Sequence, residues 1–154
     1  MKAVYAGSFD PYTNGHKSIL KKACTLFKEV HIIIGVNSNK KRNFDINLMK
    51  SAIEKDLKEE NITNCKVVIY DGIIALYCRE NNINYLVRGL RNNMDYNYEE
   101  NIAEINSLIN PKLESIYFRA EERAISSSMV RELLFHKQDV SSFVPRSVLN
   151  ILEN

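Results

Sequence analysis

Apolar positions recur along this chain in two rhythms. Short, nearly unbroken apolar runs occupy Lys2–Ala6, Val30–Val36, Lys66–Tyr70, Tyr85–Val87 and Glu114–Phe118. Between them the apolar residues return at intervals of three and four. Ile19, Leu20, Ala23, Cys24 and Phe27 form one such stripe, and Leu48, Met49, Ala52, Ile53 and Leu57 a second. A third runs through Ile73, Ile74, Leu76, Tyr77 and Cys78. Ile102, Ile105 and Ile109 face inward on a helix over Asp95–Asn110, and Val130, Leu133 and Leu134 mark another. Continuous runs suit parallel strands covered on both faces, and the helical stripes suit amphipathic helices. Asp45 is placed to cap the second helix, and Pro145 to start a short last helix ending near Leu152. The order β-α-β-α-β-α-β-α-β-α-α predicts an α/β fold: a single-domain open, mainly five-stranded parallel sheet with helices on both faces.

Length agrees with this picture, since 154 residues make one domain able to bury a core without a disulfide or metal staple. The formal charge of +2 is too small to argue for nucleic acid, although it leaves room for a local anion site. Cys24, Cys65 and Cys78 have no metal-ligand spacing and read as reduced, mostly buried fillers. The densest apolar run, Val30–Val36, is far shorter than the ~20 residues of a membrane helix. No secretory signal pattern opens the chain. A soluble, cytoplasmic protein with no membrane and no nucleic-acid partner is expected.

Ligands of such sheets bind outside the carboxyl ends of the strands. Three polar segments fall there: GSFDPYTNGH from Gly7 to His16, NSNKKRN from Asn37 to Asn43, and RGLRNN from Arg88 to Asn93. A fourth, ISSS from Ile125 to Ser128, opens a helix after the fifth strand. His16 sits in the first turn of a helix, where exposed N–H groups favour an anion and Gly15 leaves room for one. By local pattern alone His16 is as readily a helix cap with a surface imidazole. Lys40, Lys41 and Arg42 are as readily a solvated loop, and Ser126 and Ser127 are as readily caps. The chain has no GxGxxG, no Walker loop, no HExxH and no GxSxG. His31 and His136 stand outside any motif.

Gly7-Ser8-Phe9-Asp10-Pro11 with Thr13-Asn14-Gly15-His16 resembles the first signature of the nucleotidyltransferase superfamily. Ile125-Ser126-Ser127-Ser128-Met129-Val130-Arg131 resembles the second, more than a hundred residues later. Between them Tyr85 to Arg91, with Asp95, Tyr96, Tyr98 and Glu99, resembles one branch, the phosphopantetheine adenylyltransferases. Thr13 in place of a first histidine fits that branch and speaks against cytidylyltransferases. The resemblance covers the whole chain and implies a Rossmann-like nucleotidyltransferase domain over residues 1–154. It implies that ATP and 4′-phosphopantetheine give dephospho-coenzyme A and pyrophosphate with Mg²⁺, in a homohexamer.

Position by position, the resemblance implies that Ser8, Lys40 and Arg88 meet the acceptor phosphate. Ile74, Ile102, Asn106 and Glu132 would line the pantetheine arm. ATP would be held by Ser8, Phe9, His16, Gly89, Leu90, Arg91, Glu99, and Glu122, Arg123, Ala124, Ile125, Ser126, Ser127 and Ser128. His16, Lys40 and Arg91 would act on the reacting phosphates, and no protein ligand to a metal is assigned. The acceptor phosphate supplies its own nucleophile, so the chemistry needs positioning and charge stabilisation rather than a strong base. Three other readings remain: an adenylyltransferase for nicotinamide mononucleotide, a nucleotide sensor without turnover, and a nucleic-acid binder using Lys40 to Arg42.

Overall fold

The computed structural model describes residues 1–121 and 125–153. Five strands, β1 (Lys2–Gly7), β2 (Glu29–Gly35), β3 (Cys65–Tyr70), β4 (Tyr85–Leu90) and β5 (Glu114–Arg119), form one sheet in the order β3-β2-β1-β4-β5. Every neighbouring pair is parallel. The connections are α1 (Asn14–Leu26), α2 (Ile46–Glu59), α3 (Ile74–Glu80) and α4 (Asn93–Ile109), and α5 (Ser127–Phe135) and α6 (Arg146–Leu152) close the chain.

Alternation along the strands explains why they read as continuous apolar runs. Ala3 and Tyr5 of β1, with Val30, Ile32 and Ile34 of β2, pack on one face with α1, α2, α5 and α6. Val4, Ala6 and Ile33 pack on the other with α3. Both faces are covered, so burying either set stabilises the sheet, at about 1.5–3 kcal/mol per large side chain. His31 lies on this second face, 2% exposed. Its Nδ1 meets the Tyr77 hydroxyl at 2.8 Å and its Nε2 meets Glu29 Oε1 at 2.6 Å. It is a satisfied core histidine, and burial lowers its pKa.

Asp45 caps α2 as expected, accepting from the Asn47 and Leu48 N–H groups. Three expectations are corrected. Ile105 is 58% exposed, because the inner face of α4 turns through Ile102 and Ile109 instead. Leu48 is 55% exposed in the first turn of α2, where Met49 takes the core-facing position instead. Cys24 and Cys65 are only half-buried, and all three thiols are free.

The chain reverses its direction of travel after β3, crossing to the far side of β1. The switch point therefore falls between β1 and β4, the place where open α/β sheets bind ligands. The pairing itself parts there. β1 pairs with β4 only from Ala3 to Tyr5, whereas β4 continues with β5 through Arg88, Gly89 and Leu90. β4 is thus longer than the predicted Tyr85–Val87, and its extra residues form one wall of the opening.

Candidate active site

A cleft of about 380 Å³ opens where β1 and β4 separate. Ser8, Phe9 and His16 come from the β1–α1 segment, Arg88 and Gly89 from β4, and Arg91, Asp95 and Glu99 from the turn after it and α4. Ile125, Ser126, Ser127 and Ser128 close the cleft from the start of α5. The first, third and fourth polar segments of the sequence thus converge.

The two signature segments are stitched to each other. Ser127 Oγ donates to Pro11 O at 2.7 Å, and Arg131 Nη1 donates to Asp10 O at 2.7 Å. A Cβ on Gly15 would stand 3.3 Å from Ile125 O. The space at Gly15 therefore admits the second segment, not only an anion as its position suggested. Ser126 caps α5, accepting from the Met129 N–H at 3.1 Å.

His16 occupies the third position of α1 in a capping box. Its Nδ1 accepts from the Thr13 N–H at 3.0 Å, while Thr13 Oγ1 accepts from the His16 N–H at 3.4 Å. With Nδ1 accepting, the neutral ring carries its proton on Nε2. The Tyr12 ring stacks on the imidazole at 5.8 Å and the Phe9 ring meets it edge-on at 4.9 Å. Burial, then Arg91 and Arg88, lower the His16 pKa to about 4. His16 is thus part of the cap, and its ring lies in the cleft lining rather than out on the surface. Phe9 lines the cleft but is only 1% exposed, and its ring also seats His16.

Arg88 is held from three directions. Nε and Nη2 donate to the two Glu99 oxygens, each at 2.7 Å, and Nη1 donates to Ala6 O at 2.9 Å. That last bond takes up a carbonyl of β1 beyond its pairing with β4. A guanidinium has five N–H groups, and three are used. Two remain, and the geometry keeps the group oriented. Glu99 is 7% exposed, a buried carboxylate committed to this pair. Arg91 forms an exposed pair with Asp95, Nε to Oδ2 at 3.0 Å. Both arginines of the cleft are therefore neutralised in the free protein.

Several expected residues lie elsewhere. Lys40 is exposed on the turn after β2, outside the residues that line the cleft. Leu90, Ile74, Ile102 and Asn106 are half-buried and also outside that lining. Glu132 is exposed on α5 and pairs with His136 at 3.1 Å. Glu122, Arg123 and Ala124 lie outside the described residues. Tyr12, Asp10 and Arg42 were not singled out by the sequence. An aromatic or aspartate inside a turn carries no signal of the side chain it seats, and Arg42 was masked by the two lysines before it.

Three comparisons fit this geometry. The cytidylyltransferase-like family matches residues 4–133. The phosphopantetheine adenylyltransferase of Shouchella clausii is 36% identical over 154 residues, covering 99% of this chain and 96% of its own. That of Lactobacillus gasseri is 38% identical over 159 residues, at 99% and 92%. That of Pasteurella multocida is 36% identical over 157 residues, at 98% and 96%. Among solved structures, a Vibrio parahaemolyticus protein provisionally described as a nicotinate-nucleotide adenylyltransferase superposes with a TM-score of 0.69. It covers 99% of this chain and 91% of its own, and at 18% identity it bears on the fold alone. Two signatures stitched across the switch point, together with these full-length relatives, place the chain in the cytidylyltransferase-like family, among its phosphopantetheine adenylyltransferases.

Proposed function

We propose that this protein transfers the adenylyl group of ATP to 4′-phosphopantetheine, giving dephospho-coenzyme A and pyrophosphate. The observation that carries the reading is the joining of the two signature segments, Ser127 to Pro11 at 2.7 Å, around a cleft holding His16, Arg88 and Arg91. An oxygen of the acceptor phosphate attacks the α-phosphorus of ATP. The new P–O bond forms as the bond to the β-bridging oxygen breaks, and pyrophosphate leaves with that electron pair. A phosphate whose second pKa is about 6 is mostly dianionic at neutral pH, so no general base is required.

The residues act by position and charge. Neutral His16 offers Nε2–H to a phosphate oxygen of ATP, and Arg91, once released from Asp95, neutralises charge on the triphosphate. Ser8 and Arg88 hold the acceptor phosphate, with Glu99 fixing the plane of Arg88. Lys40 follows the negative charge as it develops, which requires its turn to lean over Ser8 when substrates bind. Gly89 and Ser126 to Ser128 border the nucleotide. The pantetheine arm leaves toward α3 and α4, past Ile74, Ile102 and Asn106. Among the described residues no group of three His, Cys, Asp or Glu side chains could hold a metal ion, and both carboxylates of the cleft are paired with arginines. A protein-held Mg²⁺ cage does not fit these residues. Mg²⁺ would come with the nucleotide and would supply charge neutralisation there, with no carboxylate of the cleft assigned to it.

No described helix is long and apolar enough to cross a membrane. A cytoplasmic enzyme using small-molecule substrates alone is the reading we adopt. Self-association is supported by a line of exposed apolar residues on α4, Met94 at 81%, Tyr98 at 63%, Ile105 at 58% and Leu108 at 84%, and the family resemblance makes a hexamer the form proposed. Sedimentation equilibrium tests it, and a monomer at micromolar concentration would contradict it. For the reaction, ATP labelled at its α-phosphate is the test. The label should move into a product of the mass of dephospho-coenzyme A, only when 4′-phosphopantetheine is present. Label retained in ATP under those conditions would refute the proposal.

A further inference from the structure

Arg42 stands two residues after Lys40, in a loop the sequence read as a run of charge. Its side chain does not face solvent. Nη1 donates to Ser8 O at 2.6 Å, Nη2 to Phe9 O at 3.2 Å and Nε to Phe44 O at 3.2 Å. Asp10 reciprocates from the other side. Its Oδ2 accepts from Asn43 N at 2.9 Å and Asn43 Nδ2 at 3.0 Å, and its Oδ1 accepts from Phe44 N at 3.0 Å. Asp10 Oδ1 also lies 3.7 Å from Arg42 Nη2. The loop's arginine thus holds the carbonyls of the Ser8 turn, and that turn's aspartate holds the loop's amides.

The first half of the loop is built differently. Asn39 N donates to Asn37 Oδ1 and Lys40 N to Asn37 O, bonds that shape the turn and, among the described residues, do not tie it to another segment. Following the chain from Lys40, Arg42 is the first residue fixed to the segment that carries Ser8. We propose that Arg42 is a positioning residue, which sets where Lys40 stands relative to the acceptor phosphate. This rests on the role given to Lys40 above. A guanidinium suits the task because its planar fork reaches three carbonyls in fixed directions at once. An ammonium is a single point charge without that geometry.

The test is a double-mutant cycle on the full chain, with kcat and both KM values measured for Arg42→Ala, Lys40→Ala and the double variant, and for Arg42→Lys. Arg42→Ala should lower kcat about tenfold while the KM for ATP stays within about twofold, and in the Lys40→Ala background it should cost less than about twofold. Arg42→Lys should keep the thermal midpoint yet recover only part of kcat. An Arg42→Ala penalty undiminished in the Lys40→Ala background overturns the inference, because Arg42 then acts through something else. So does a wild-type kcat in Arg42→Ala while Lys40→Ala is impaired. Wild-type turnover in Lys40→Ala would instead refute the role of Lys40, and the inference with it. Should Arg42→Ala fail to fold, the cycle is run with Arg42→Lys and Lys40→Ala/Arg42→Lys, and the same pattern is required.

Discussion

Replacing His16 with alanine removes two things whose costs can be measured separately. The first is a hydrogen-bond donor aimed into the cleft. Because Nδ1 accepts from Thr13 N–H at 3.0 Å, the ring offers Nε2–H and needs no rotation or proton transfer to do so. Losing one such oriented donor should cost about 3 kcal/mol in the transition state, or about a hundredfold in kcat. The second loss is structural: half of the α1 capping box and the ring contacts with Tyr12 and Phe9. These amount to about 2 kcal/mol together. In a chain of this size that lowers the thermal midpoint by about 6 °C and leaves the protein folded at assay temperature.

The pKa of about 4 adds a pH criterion for His16. A ring neutral in the fold and ordinary when unfolded binds fewer protons folded than unfolded between its lowered pKa and the usual 6.5. Its contribution to stability is complete above about pH 6.5 and is lost as pH falls toward 4, so wild type and His16→Ala should converge in stability over that window. Turnover, read as pyrophosphate release, should show no histidine ionisation from about pH 6 to 8. A folded His16→Ala protein with near-normal kcat would refute the reasoning. A kcat profile with a pKa near 6.5 that His16→Ala abolishes would refute it equally, because His16 would then work as a cation.

Glu99→Ala should lower stability by about 3 kcal/mol in urea titration and raise the acceptor KM, since it leaves Arg88 charged, part-buried and unoriented; unchanged values would mean Glu99 is dispensable surface charge. The Arg88→Ala/Glu99→Ala double variant should lose less stability than the two single losses summed. Lys17→Ala should cost about 3 kcal/mol, because Asp56, 5% exposed, is held by the Lys17 ammonium at 2.9 Å and would be left alone. Adding Asp56→Asn should recover part of that loss, and no recovery would show that packing of the lysine stem was responsible. Lys40→Ala should depress kcat strongly, whereas Lys41→Ala should change affinity modestly; the reverse order in kcat would assign the role to the wrong lysine.

The strands and helices were legible because hydrophobic period follows burial. β2 is buried on both faces and reads as an unbroken run, while α1 is buried on one and reads as a stripe. Ile105 misled because periodicity marks apolar residues, not what covers them, and among the described residues it stays 58% exposed. The parting of β1 and β4 was hidden because Arg88 and Gly89 look like loop residues, although they are strand residues that have lost one neighbour. Three of the four polar segments converge on the cleft, while the second, with Lys40, lies outside its lining, and the charge balance inside the cleft did not show in the sequence. Glu99 lies eleven residues after Arg88, and only the fold brings its carboxylate onto the guanidinium.

Acceptor choice tests the central claim most directly. The purified protein with ATP and Mg²⁺ should be offered 4′-phosphopantetheine, pantetheine and nicotinamide mononucleotide at equal concentration, with pyrophosphate release measured for each. The account predicts robust release with 4′-phosphopantetheine alone. Pantetheine lacks the attacking phosphate oxygen, and nicotinamide mononucleotide presents its phosphate on a ribose bearing a flat charged ring. Robust turnover with nicotinamide mononucleotide and none with 4′-phosphopantetheine would leave adenylyl transfer standing and contradict the acceptor assigned to this cleft.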